Sequence, residues 1–188
     1  MPKKICFLYT ETNGLHKSNE NVLKKKLYNY ARLVVLNYEI GYIEDNNYII
    51  EKEIRHIIKP NCMNISNDTV KFHGITNEIA FNEGIDIEKV MTKLIKDLKN
   101  VDIIVSHNID FHLKTIISEI IRYNLKIIKD FNKFIIIDTS SFYHDYGLLK
   151  LKELSVKLKI KNNDLTTIEL IRGVFFKLYN KFKKSISN

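Results

Sequence analysis

Apolar residues recur along this chain with two periods, one suited to strands and one to helices. Ile5-Cys6-Phe7-Leu8-Tyr9 is a compact apolar run that breaks at Asn13-Gly14, which predicts a buried strand from Ile5 to Thr10 entering a turn. Arg32 to Ile43 and Tyr48 to Ile58 are rich in β-branched and aromatic residues with Asp45-Asn46-Asn47 between them, the composition of two antiparallel strands joined by a short turn, and Pro60 ends the second. From Asp86, placed as an N-cap, the spacing becomes helical through Ile87, Val90, Met91, Leu94 and Leu98. A strand follows at Val101 to Ser106, then a helix carrying Leu113, Ile116, Ile117, Ile120 and Ile121, then a strand at Phe134 to Ile137. Two more helices are predicted at about Leu148 to Leu158 and Leu165 to Phe182. In the second, Ile168, Ile171, Val174, Phe175 and Leu178 form a core stripe. This order of three strands and then alternating helices and strands predicts an α/β domain with a mixed sheet and helices packed on it.

The length of 188 residues suits one domain spanning 1–188, and its polar, Lys-rich stretch at about 15–31 reads as an exposed excursion with at most one helical turn. No apolar run approaches the roughly 20 residues needed to cross a bilayer, so no membrane partner is expected. The N-terminus lacks a signal-peptide pattern, and Cys6 and Cys62 stand alone with no C-x-x-C spacing. Both features suit a reducing, intracellular setting, cytoplasmic or nuclear. A net charge of +8 favours polyanion binding through counterion release, but 26 of the 30 basic residues are Lys. Lys, 30 Ile and 20 Asn all have A/T-rich codons, so part of the basicity reflects an A/T-rich genome. The four Arg leave little forked recognition of phosphate. No Walker or Rossmann glycine motif is present, and neither His107 with Glu119 nor His112 with His144 has the spacing of a zinc site.

Four ordered segments carry the chemistry. Phe7-Leu8-Tyr9-Thr10-Glu11-Thr12-Asn13-Gly14-Leu15 resembles the first motif of the DEDD (DnaQ-like) 3′-to-5′ exonucleases, a strand followed by D-x-E-T-x-G-L. Phe72-His73-Gly74-Ile75-Thr76 is similar to their H-G-I-T segment. Val105-Ser106-His107-Asn108-Ile109-Asp110-Phe111-His112 resembles the second motif, a strand followed by H-N-x-x-F-D. Ile136-Ile137-Asp138-Thr139 and the helix of Leu151 to Ile160 resemble what precedes the third. The resemblance covers almost the whole chain and implies a ribonuclease H-like fold, three antiparallel strands and then parallel ones. It also implies two divalent metals, Mg²⁺ or Mn²⁺, held by four carboxylates beside a general base.

Measured against that pattern the chain departs at its chemistry. Tyr9 stands at the first Asp position and His112 at the Asp of the second motif, which leaves Glu11 and Asp164 as the remaining catalytic and metal-ligating candidates. Asp110 and Asp164 each have a second reading as helix N-caps. No His stands four or five residues before Asp164 to serve as base, and two carboxylates balance the charge of one divalent cation, so metal binding is expected to be weak or absent. In relatives, the positions of Thr12, Asn13 and Leu15 touch the terminal nucleotide and His107-Asn108 lies at the same rim. The resemblance therefore implies a degenerate exonuclease-like module that binds single-stranded nucleic acid. Two alternatives stay open: an active exonuclease with a substituted ligand set, His112 favouring Mn²⁺ over Mg²⁺, and a scaffold for a protein partner with no metal at all.

Overall fold

β1 (Lys4–Thr12) is the middle strand of a five-stranded sheet, where its apolar run Ile5 to Tyr9 can be covered on both faces. The computed structural model describes residues 2–125, 131, 133–142, 149–161 and 164–186. β2 (Leu33–Glu44) pairs antiparallel with β1, β3 (Asn47–Ile57) pairs antiparallel with β2, and β4 (Ile103–Ser106) and β5 (Ile135–Asp138) add parallel strands on the other side of β1. The resulting order, β3-β2-β1-β4-β5, is the mixed sheet expected from the sequence. The β2–β3 turn has Asp45 and Asn46 at positive φ, the left-handed conformation these short polar side chains tolerate. Gly41 is required for packing: a Cβ there would stand 2.7 Å from Cζ of Tyr48, whose ring lies across β2.

Alternation along β1 sorts its side chains into two layers. Cys6 and Leu8 pack with α3 (Ile87–Asp97) and α4 (Ile109–Arg122), through Val90, Met91, Leu94, Ile116 and Ile120. Ile5 and Phe7 face α6 (Thr167–Ile186) and meet Ile168, Ile171 and Phe175. The stripe expected on the last helix is buried throughout, with Val174 and Leu178 closing against α5 (Leu151–Lys157). Asp86 is the N-cap of α3, though its carboxylate makes no capping bond and instead lies 3.6 Å from Lys89.

Two short helices, α1 (Asn67–His73) and α2 (Asn77–Glu83), fill the stretch between Pro60 and Asp86, where periodicity predicts none. Two turns are too few for a spacing signal, and these helices start on polar caps: Ser66 accepts from the Thr69 amide and Thr76 from the Ile79 amide. The H-G-I-T segment is the joint between them. Gly74 ends α1 at φ 75, His73 Nδ1 accepts from the Ile75 amide, and Thr76 caps α2. In the excursion the single helical turn expected is a 3₁₀ segment at Lys24–Asn29.

The excursion is tied down through a carboxylate remote from it in sequence. Glu119 on α4 is buried and accepts from Arg32 Nε at 2.9 Å, from Arg122 and from the Leu33 amide, while Arg122 also donates to the carbonyls of Leu27 and Tyr30. Removing one member of such a cluster strands the others. Glu119→Ala is therefore expected to cost about 3 kcal/mol in urea unfolding with little change in m value, and Glu119→Gln less, because its oxygen still serves Leu33. A loss below about 1 kcal/mol in the alanine variant would show that the cluster is not a structural joint.

Candidate active-site groove

The C-terminal ends of β1 and β4, the tail of α1 and the first turn of α6 surround an open groove of about 600 Å³. Its floor is the end of β1, where a β-bulge shifts the β1–β2 register between Glu11 and Thr12 and turns the strand end toward the cavity. Tyr9 and Glu11 are two apart and so share the α6 face of the strand, as the motif spacing requires. Their contents differ from a paired-carboxylate site. The Tyr9 hydroxyl is directed at the Glu11 carboxylate, and burial, with that negative charge beside it, pushes the phenol up to about 12. Burial also raises the Glu11 carboxyl to about 7, against the opposing pull of Arg55 and of the Tyr9 hydroxyl.

His112, on α4, lines the same groove. It is 4% exposed, and its ring stands 4.8 Å from that of Tyr9, centroid to centroid. The Thr10 amide donates to His112 Nδ1 at 3.1 Å, and a backbone N–H can only donate, so Nδ1 carries no proton. The Thr10 hydroxyl shares that acceptor at 2.8 Å, and Nε2–H donates to the His107 carbonyl at 3.2 Å. Both ring nitrogens are thus committed within the protein and the imidazole is neutral, consistent with burial lowering its pKa to about 4.

The other carboxylates near the second motif serve the backbone. Asp138, at the end of β5, accepts from the amides of Asn108 and Ile109 at 2.8 and 3.1 Å, and so caps α4 from across the sheet. Asp110 does not cap that helix: Asn108 is the N-cap residue, in the left-handed region, and Asp110 pairs with Lys114 at 2.6 Å one turn on. The capping reading of Asp164 is likewise corrected. Thr166 and Glu169 hydrogen-bond reciprocally at the start of α6, a capping box in the T-x-x-E pattern, while Asp164 is exposed. Asp164 is also absent from the groove lining, where α6 contributes Thr167 and Leu170.

The residues expected at the nucleotide rim separate into two groups. Leu15 lines the groove and is 83% exposed, and Asn108 lines it with a side-chain amide that makes no hydrogen bond among the described residues. Thr12 lines it too, but its hydroxyl donates to the Gly14 carbonyl. His107 is spent on both nitrogens, against the Thr139 hydroxyl and the Leu149 carbonyl. Asn13 lies outside the groove, its side chain bonding the Arg32 amide and the Asn64 carbonyl to hold the bulged turn. Lys150, Lys152 and the 86% exposed Phe72 also line the groove, though none was expected there from the sequence. No group of three metal-ligating side chains is present among the described residues, and His144 lies outside them.

The sequence model of the RNase_T exonuclease family matches residues 10–165, and the chain belongs to that family. Comparison with curated proteins finds no match. Among solved structures the fold is similar to product-bound exonuclease I, with a TM-score of 0.72 and 13% identity over 96% of this chain and 44% of that one. It is similar also to E. coli exonuclease I in complex with a dT13 oligonucleotide, with a TM-score of 0.69 and 14% identity over 94% of this chain and 40% of the other. The ExoI/SSB-Ct complex gives 0.69 and 14% over 93% and 40%. The chain spans less than half the length of these structures. At such identity the likeness is one of fold, and the fold is ribonuclease H-like.

The hydrogen bonds of His112 predict a pH signature. Its folded pKa of about 4 lies below the unfolded value of 6.5, so the unfolded chain takes up the proton first and stability falls as pH drops from 6.5 to 4. Between pH 7 and 4 the wild type should lose about 3 kcal/mol more than His112→Gln, whose amide can serve Thr10 and His107 without titrating. Equal losses in urea titrations of the two proteins would show that His112 does not stay neutral in the fold.

Proposed function

We propose that this chain is an exonuclease-family domain with a degenerate hydrolytic centre, whose groove binds single-stranded nucleic acid without cutting it. The observation that carries the reading is the state of His112. A residue at a metal-ligand position must offer a lone pair to the cavity, and both of its nitrogens are engaged with Thr10 and His107. Tyr9, at the first Asp position, is a neutral phenol facing Glu11, and a phenol is a poor ligand for a hard cation. Glu11 is the one carboxylate among the described residues that line the groove. Asp164 would have to reach in from outside it. These residues do not fit the two Mg²⁺ or Mn²⁺ ions on which the family's chemistry depends.

Support for the ligand class comes from the walls. Asn108, Leu15 and Phe72 present free polar and apolar surface to the cavity, the kind of surface on which unpaired bases rest. The similar fold of exonuclease I is described with a dT13 oligonucleotide, and that of the ExoI/SSB-Ct complex with a protein ligand. The first is the model for this groove, and the second marks protein docking as the competing role. The whole chain, 1–188, is taken as the binding unit.

Labelled oligonucleotides distinguish the readings. Incubated with Mg²⁺ and then Mn²⁺, the wild type should bind single strands with an affinity that falls as salt rises, and should leave their 3′ ends intact. Stepwise 3′ shortening that disappears in Glu11→Gln would overturn the claim of inactivity. Absence of binding at low salt, together with a stoichiometric protein partner, would favour the scaffold. Tyr9→Asp with His112→Asp should raise Mn²⁺ affinity in calorimetry where either change alone does little, because two cations share the ligands. Hydrolysis should stay slow in the double variant, for want of a base before Asp164. A folded double variant that binds Mn²⁺ no better than wild type would show that these two positions are not ligand positions.

A further inference from the structure

We propose that Lys150 and Lys152 take the place of divalent cations in this groove: their ammonium groups neutralise the phosphates of a bound single strand, so that binding requires no metal. The inference rests on the nucleic-acid reading above and adds how the groove holds its ligand. Among the described residues of the lining, the formal charges are one carboxylate, Glu11, against these two lysines. A cavity built for two divalent cations needs the opposite balance. A groove of net positive charge attracts a polyanion directly, with no ion between them.

The lysines are held at the groove rather than waving past it. Between them Leu151 turns inward and packs against the cores on both sides of α6, which leaves its two neighbours flanking the cavity. One residue earlier, the Leu149 carbonyl accepts from His107 Nε2 at 2.9 Å, so the second-motif histidine fixes the lysine-bearing segment to the rim. Glu153, the acidic residue of this segment, is turned back onto the Lys150 amide at 3.0 Å. No carboxylate among the described residues pairs with either ammonium group. Elsewhere on the lining stand the exposed side chains of Phe72 and Leu15. A single strand fits this arrangement with its phosphates at Lys150 and Lys152 and its bases on Phe72 and Leu15.

Fluorescence anisotropy with a labelled oligo-dT, in EDTA and in Mg²⁺ across a salt series, tests the clamp. The wild type should show the same Kd in EDTA and Mg²⁺ within about twofold. Lys150→Gln with Lys152→Gln should weaken binding about tenfold and reduce the slope of log K against log salt by about 1.4, two phosphate contacts at about 0.7 each on a single strand. Phe72→Ala should weaken binding at unchanged slope. Lys24→Gln with Lys25→Gln removes the same charge from the excursion and should change Kd far less. Circular dichroism melting of each variant checks the fold. Binding that needs Mg²⁺, or that survives the Lys150 and Lys152 changes with its slope intact, overturns the clamp and leaves the nucleic-acid reading standing. No binding by the wild type in any buffer overturns the nucleic-acid reading and the clamp together.

Discussion

The hydrogen bond from the Thr10 amide to His112 Nδ1 joins the central strand to α4 at the floor of the groove. A buried backbone N–H at the end of β1 needs an acceptor, and a buried imidazole needs partners for both nitrogens. Each supplies the other, with the His107 carbonyl completing the set. The same contact settles the floor of the groove. In a carboxylate at this position, oxygen lone pairs would remain for a cation after the amide was satisfied. In the neutral imidazole none remains. The contact thus holds the end of β1 against α4 and leaves the imidazole no free lone pair.

The charged residues of the fold are used in a similarly inward way. Three of the four arginines hold buried carboxylates, Arg32 and Arg122 at Glu119 and Arg172 at Glu39, and the fourth, Arg55, acts on Glu11. Arg is suited to these joints because its planar fork can satisfy a carboxylate and several carbonyls at once, as Arg122 does. The cost is borne at the surface, where Lys supplies nearly all the positive charge. Phosphate contacts at this surface would draw mainly on compact ammonium charges, which favour backbone contact over base readout, with Arg55 the one exposed guanidinium.

Asp138 illustrates how a motif residue can be present for the backbone. Its two oxygens cap α4 across the sheet, and Ser140 donates twice to one of them, so the carboxylate ties β5, its following turn and the start of α4 together. That capping sets the position of Asn108 at the groove and keeps His107 within reach of Thr139 and Leu149. The strand-D-T segment is thus part of the frame that presents the second motif.

The amino-acid sequence alone determined the five strands, the helices α3 to α6, the buried stripe on α6 and the membership of the exonuclease family. All of these rest on local periodicity or on motifs read in chain order, both of which are written residue by residue. It also raised the expectation, through the motif resemblance, that Tyr9 and His112 stand at the positions of two carboxylates. Only the tertiary structure decided what those residues do, because hydrogen bonding joins positions far apart: Thr10 and His112 lie 102 residues from one another. It moved the capping of α4 from Asp110 to Asp138 and the capping of α6 from Asp164 to Thr166, and it took Asn13 out of the groove. It also brought Lys150 and Lys152 in. Nothing in the motif resemblance of their stretch singles out the lysines, and they become groove residues only because Leu151 finds its place in the core beside α6.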